Sequence, residues 1–340
     1  MKRKNRRKLW LPFISVIACL ALLAGCGTSA NETNNGANAG GKENGNLDNY
    51  PAEKIDFLVG FSPGGGTDTT SRKITQLLSG EKLVEQTFVV NNMPGAMGGM
   101  ALMEQKKRQG DMYTIQGVSG FMTPLWTEGL GATLSDVQPI ASLTNTEILI
   151  VVPKNSPYNT VTELLDATKE KNITVGIVGP QDGEDAFTWN KIRTAYDMND
   201  LNYVSTDGIS ESLSLVLGDK VDATLLLPIV AKDYIETGDL KALAVLSDKH
   251  SEFLPDVPTL QEEGIDVISK RYYGVVASAG VSQEIIDYWS SKFEEMIELD
   301  GWKTYLEDSG LISEFHKSEE YIQYLETEGK EYQEYLQSLQ

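Results

Sequence analysis

Short apolar runs alternate with helical patterns from Ile55 onward, and this alternation restricts the fold more than any other feature of the chain. The strand candidates are KIDFLVGF, TFVVNN, YTIQGV, PIASL, EILIVVP, ITVGIV, LNYVS, DATLLL, KALAVLS and YGVVAS. Helical spacing over 67–79, 97–107, 160–170, 185–196, 210–217, 230–236 and 284–298 separates them. Strands joined through helices need crossover connections, so the pattern predicts an α/β architecture with mainly parallel sheets. The length predicts two lobes rather than one. Pro153 and the segment near Ser247 are candidate hinges, since both follow apolar strands and open polar turns. At the C-terminus, Tyr321, Leu325, Tyr332, Tyr335, Leu336 and Leu339 recur at helical spacing. They predict an amphipathic helix lying on the domain, the other reading being a surface helix for a partner.

Three strand-to-helix turns are rich in glycine. The sharpest is SPGGGTD, Ser62 to Asp68, where Thr67 or Asp68 is the expected helix cap and Gly80 the expected stop. A nucleotide-binding loop would carry Lys-Ser/Thr after its last glycine or the G-x-G-x-x-G spacing, and this turn has neither. What remains is a loop that lets a ligand approach the backbone at the positive end of a helix, or a structural tight turn. NNMPGAMGGMA, Asn91 to Ala101, reads as close packing of a helix on a sheet. VGIVGPQDGEDAFTW, Val175 to Trp189, is a third such unit, in the other lobe. Two helix N-termini facing each other would grip a carboxylate through backbone amides without an arginine. Asp182, Glu184 and Asp185 read as partners of the helix dipole, or as groups meeting an ammonium or metal brought by the ligand.

The N-terminus gives an address. MKRKNRRK is a basic leader and LWLPFISVIACLALLAG an apolar run too short for a confident membrane span, so residues 1–25 read as an export signal. Leu23-Ala24-Gly25-Cys26 resembles a bacterial lipobox, which makes Cys26 the expected lipidation site and the first mature residue. Residues 26–49, rich in Gly and Asn, read as a flexible tether. The only other cysteine, Cys19, lies within the export signal, so the mature domain holds no disulfide.

Charge and composition exclude several classes. The chain carries 29 basic and 49 acidic residues, a net charge of −20, and loss of the six leader cations takes the mature balance to −26. Such a surface repels nucleic acid, so none is expected as a partner. His250 and His316 are the only histidines, both in polar stretches, and GVSGF at 117–121 lacks the nucleophile-elbow spacing. No catalytic residue, cofactor or metal is expected.

Taken in order, these motifs resemble the extracytoplasmic solute receptors of tripartite tricarboxylate transporters, the Bug or TctC-type family. The resemblance runs from about Tyr50 to Ile286 through PAEKIDFLVGFSPGGGTDTTSRKI, VVNNMPGAMGG, GDMYTI, VQPIASL, LGDKVDATL, GDLKALAVLS and LPDVPTLQEEG. It implies a type II-like, two-lobed periplasmic-binding-protein fold, each lobe a mixed, mainly parallel sheet flanked by helices, with the ligand cleft between them. The implied lobes are 50–150 with 250–340, and 151–249. It implies a lipid-anchored receptor on the outer face of the bacterial cytoplasmic membrane that hands a small organic carboxylate to two membrane subunits. The alternative is a sensory receptor of the same fold.

In the family, the turns matching Ser62 to Asp68 and Gly179 to Asp185 bind the carboxylate. The expected ligand-binding set is Phe61, Ser62, Gly64, Gly65, Gly66, Thr67, Asp68, Ser119, Gly179, Pro180, Gln181, Asp182, Gly183, Tyr203 and Asp207. Two departures bear on specificity. The second turn is acidic where the family has small residues, and YVSTDG keeps Tyr203 and Gly208 of a Tyr-Lys/Arg-Gly element without its cation. A monocarboxylate, an amino acid or a metal-chelated carboxylate is therefore favoured over a tricarboxylate within an expected ligand class of di- or tricarboxylates, amino acids and other monocarboxylates.

Overall fold

The computed structural model describes residues 49–124, 132–206 and 208–339. The expected export signal, Cys26, nearly all of the tether and Asp207 lie outside the described residues. Six strands build the first sheet: β1 (Ile55–Val59), β2 (Phe88–Asn92), β3 (Thr114–Ser119), β4 (Val137–Glu147), β10 (Lys270–Ser278) and β11 (Ile312–Lys317), in the order β11-β4-β10-β3-β1-β2. Five build the second: β5 (Leu149–Pro153), β6 (Thr174–Val178), β7 (Asn202–Thr206), β8 (Ala223–Leu226) and β9 (Leu240–Val245), in the order β7-β6-β8-β5-β9.

All ten expected strands form. Both sheets are mixed, as the resemblance implies, but parallel pairs do not predominate in either. Parallel pairing joins β1 to β2 and β3, and β6 to β7 and β8. Antiparallel pairing joins β10 to β3 and β4, β11 to β4, and β5 to β8 and β9. The reason is connectivity: β4 runs into β5 through Ile148 alone, with no helical crossover, so strands that pass between sheets enter against the direction of their neighbours. The sheet changes at Ile148 rather than at Pro153, which ends β5 opposite Leu240. β11 and the helix Asp300–Ser309 have no counterpart in the sequence reading. β11 is half-exposed and carries no clean alternation of apolar side chains.

Each sheet buries apolar side chains on both faces. On the first, Phe57, Ile74, Ile115, Trp289 and Phe293 form one cluster, and Val118, Met122, Val276, Tyr321 and Leu325 the other. On the second, Ile150, Val175, Ile177, Phe187 and Trp189 form one, and Leu149, Val151, Val216 and Leu226 the other. Leu254, Val257, Leu260, Ile265 and Val267 also pack into the second sheet's clusters. This packing differs from the expected return to the first lobe at residue 250, and on it we propose a boundary near Ser269.

The C-terminal helix lies on the domain, as its spacing predicts. It runs from Ser318 to Ser338, places Tyr321 and Leu325 in a cluster of the first sheet, and places Tyr332 and Tyr335 in a cluster of the second. One helix therefore staples both sheets. At its first contact the Tyr321 ring lies directly on β10, where a Cβ on Gly274 would stand 2.3 Å from the Tyr321 hydroxyl. Only glycine fits there.

Candidate ligand-binding site

Turn one leads from β1 into helix α1 (Gly66–Gly80). Gly64 has φ +81°, a conformation that strains any residue with a Cβ. The expected caps differ from what is found: Gly65 holds the N-cap position, no side chain caps the helix, and Asp68 lies within its first turn. Buried Asp68 folds back on the loop. Its carboxylate accepts from Gly64 N–H at 2.8 Å, Arg72 Nε at 3.0 Å and Asn92 Nδ2 at 2.8 Å, and Asn92 Nδ2 also donates to the Phe61 carbonyl at 3.0 Å. Burial alone would raise the Asp68 carboxyl, but Arg72, the Gly64 amide and Asn92 outweigh it and hold it below its ordinary value. Asp68 thus shapes the turn, while Ser62, Gly64, Gly65 and Gly66 are exposed and Phe61 and Thr67 half-buried. The leading amides of an uncapped, exposed helix end suit an anion.

Turn two leads from β6 into helix α4 (Glu184–Tyr196), counting Gly99–Lys107 as α2 and Val161–Ala167 as α3. It repeats the device with different surroundings. Gly179 has φ +87° and donates to the Thr206 carbonyl at 2.9 Å; Gly183 donates to the Pro180 carbonyl at 2.9 Å. A first-turn aspartate again ties the loop, since Asp185 Oδ2 accepts from Val178 N–H at 2.7 Å. Here the loop is covered from outside: the Tyr332 and Tyr335 hydroxyls of the C-terminal helix donate to the carbonyls of Asp182 and Gln181. Pro180, Gln181 and Asp182 keep exposed surface, Gly179 is half-buried and Gly183 buried.

The first turn of α4 meets Arg271 of β10. Arg271 is 8% exposed; its Nη2 donates to Asp185 Oδ1, and its Nη1 lies 3.0 Å from Glu184 Oε1. The Phe121 ring covers the guanidinium, 4.7 Å from its carbon to the ring centre. Two buried carboxylates thus share one buried cation. Burial raises both, against the pull of Arg271: Asp185 moves up, and Glu184 is pushed up to about 7, with Glu328 adding to its shift.

Strand alternation shows which way the floor of the site points. Gly117 faces Ser71 of α1, because a Cβ there would meet the Ser71 hydroxyl at 2.9 Å and the Tyr273 hydroxyl at 2.4 Å. Ser119, two residues on, shares that face and lies one step nearer the start of α1. Tyr273 pairs with Ser119 across β10, and Arg271 follows it on the same side. Ser119 and Arg271 therefore lie along one line that begins under α1 and ends at the first turn of α4. The Ser119 hydroxyl is buried and has no hydrogen-bond partner among the described residues.

β3 and β10 thus carry one face from beneath α1, past Ser119, to Arg271 at the head of turn two. Tyr203 of β7 packs against the second sheet's core, where burial raises its phenol, and it lies near Tyr335, whose hydroxyl donates to Gln181 of turn two. Thr206, three residues on, meets turn two through the Gly179 amide. Arg271 is absent from the expected site, and Glu184 and Asp185, expected to partner the helix dipole or to meet an ammonium or metal of the ligand, both face it. The available signal was an arginine entering the apolar strand RYYGVVAS.

The family model described as "Tripartite tricarboxylate transporter family receptor", TctC, matches residues 72–340. The chain belongs to this family. The TctC match takes in turn two, Arg271 and the C-terminal helix, while turn one precedes it by a few residues. Among TctC relatives, the chain is 26% identical over 247 residues to BugT of Bordetella pertussis, covering 70% of this chain and 74% of that one. A TctC solute-binding protein from Polaromonas superposes with a TM-score of 0.75 at 24% identity, over 85% of this chain and 99% of the other. MatC of Rhodopseudomonas palustris, solved with bound malate, superposes at 0.67 and 21% identity, over 84% and 99%. These matches give the TctC chain the two-lobed fold of a solute-binding receptor, and no helix among the described residues is long and apolar enough to cross a membrane.

Proposed function

We propose that this chain is a lipid-anchored extracytoplasmic receptor that captures a small organic carboxylate and delivers it to two membrane subunits of a tripartite transporter. The carrying observation is the uncapped, exposed start of α1 beside the unpartnered Ser119 hydroxyl. Ser62, Gly64, Gly65, Gly66 and Thr67 supply the anion site, with Phe61 at its edge, and Asp68 holds their backbone in place. Gly179 to Gly183 close the opposite side. The carboxylate chemistry is supported by the bound malate of MatC. Anchoring rests on Cys26, and the transporter partner on the family.

A Cβ on Gly66 would meet nothing within 4 Å, and Gly66 has no left-handed φ. The variant Gly66→Ala is therefore expected to keep the stability of the parent within about 0.5 kcal/mol. Isothermal titration with a panel of organic acids is expected to give binding that weakens at least tenfold in Gly66→Ala, because the methyl group stands where the carboxylate approaches. Unchanged affinity would remove turn one from the site. Radiolabelled palmitate incorporation that disappears in Cys26→Ala tests the anchor.

A further inference from the structure

We infer that the ligand is a zwitterion, an α-amino acid whose carboxylate lies on turn one and whose ammonium lies on Glu184 at turn two. This rests on the receptor reading above and narrows its ligand class.

The two ends of the site carry opposite charge. At turn one the open helix end offers N–H groups, and its one aspartate is fully engaged with Gly64, Arg72 and Asn92. At turn two Glu184 and Asp185 present two carboxyls to one guanidinium, all three nearly or wholly out of solvent. Asp185 is satisfied at both oxygens, by Val178 N–H and by Arg271 Nη2. Glu184 is not. Its Oε2 is buried without a hydrogen-bond partner among the described residues, and Arg271 Nη1, although 3.0 Å from Oε1, is off the line of a hydrogen bond.

An ammonium donating to Glu184 would complete that oxygen and neutralise the excess negative charge of the triad. A second ligand carboxylate in the same place would add a third acid around Arg271. The Ser119 hydroxyl, on the line between the two ends, supplies an independent unfilled polar atom facing the start of α1. One end thus selects an anion and the other rejects it, which favours amino acids over the corresponding deaminated acids.

The charged and titratable groups around Glu184 are Arg271 on β10, Asp185 and Lys191 on α4, and Tyr324 and Glu328 on the C-terminal helix. Lys191 is already held by Glu328 at 3.2 Å and Glu331 at 2.7 Å, so it does not supply the missing cation.

The test uses the full mature chain, freed of co-purified ligand by partial unfolding and refolding. Titration calorimetry compares the twenty amino acids with deaminated partners such as 4-methylpentanoate for leucine, 3-phenylpropanoate for phenylalanine and glutarate for glutamate. The expected result is an amino acid that binds at least tenfold tighter than its deaminated partner, with the preference falling below threefold in Glu184→Gln. The comparison of each amino acid with its deaminated partner needs only the parent chain, so the inference stays testable if Glu184→Gln does not fold. Equal binding of both partners, or an unchanged preference in Glu184→Gln, overturns the inference. Binding of malate or adipate with no amino acid bound overturns it and leaves the carboxylate receptor standing. Binding of no acid at all overturns both.

Discussion

The two glycine turns use the same device under opposite dielectric conditions. Each has a left-handed glycine, and each has an aspartate in the first helical turn that accepts an upstream amide and an arginine. In turn one the arginine, Arg72, is 49% exposed and the Asp68 carboxyl sits below its ordinary value. In turn two the arginine is buried, a second acid joins, and the Asp185 carboxyl sits above its ordinary value. Identical hydrogen-bond logic thus gives opposite protonation behaviour, and the difference lies in what packs around each loop. Turn one faces solvent. Turn two is roofed by the C-terminal helix and floored by β10, where desolvation outweighs the attraction of one guanidinium.

The strongest challenge to this contrast is removal of each arginine. Arg271→Met leaves two buried carboxylates uncompensated and is expected to cost about 3–5 kcal/mol in urea unfolding. Arg72→Met, at a half-exposed pair, is expected to cost about 1 kcal/mol or less. Equal losses would mean that the turns do not differ in the way described.

The pH dependence sharpens the same point. Glu184 binds its proton more tightly folded, at about 7, than unfolded, at its ordinary 4.5. Between those values the native state holds more protons, so its contribution to stability falls as pH rises across that window, by up to about 3 kcal/mol. Asp68 has the reverse sign: its stabilisation is present above its ordinary 3.8 and is lost as pH falls below it. Melting curves from pH 4 to 8 are expected to decline toward the alkaline end in the parent and to flatten in Glu184→Gln. An unchanged slope in that variant would place the titration elsewhere.

The smallest effect concerns the roof. Tyr332→Phe and Tyr335→Phe each remove a hydroxyl donor to a turn-two carbonyl, at an expected cost of about 1 kcal/mol each. Hydrogen exchange is expected to quicken over 179–185 while 61–68 stays unchanged. A uniform increase in both turns would show that the helix stabilises the whole domain rather than one loop.

The sequence by itself determined the ten strands, the helices that follow them and both glycine turns, because these follow from local periodicity and from the conformational freedom of glycine. The same holds for the buried face of the C-terminal helix, since helical spacing places Tyr321, Leu325, Tyr332 and Tyr335 on one side whatever they pack against. Only the tertiary structure decided that this helix touches both sheets, that strands passing between sheets pair antiparallel, and that the Thr206 carbonyl receives the Gly179 amide of turn two. It also decided the character of turn two. Glu184 and Asp185 read as dipole partners or as groups meeting a ligand's ammonium or metal, and only the fold shows that β10 delivers Arg271 to them, to Asp185 from 86 residues away in the chain. Burial, charge pairing and unfilled polar atoms belong to contacts between distant segments, and no local pattern in the sequence encodes them.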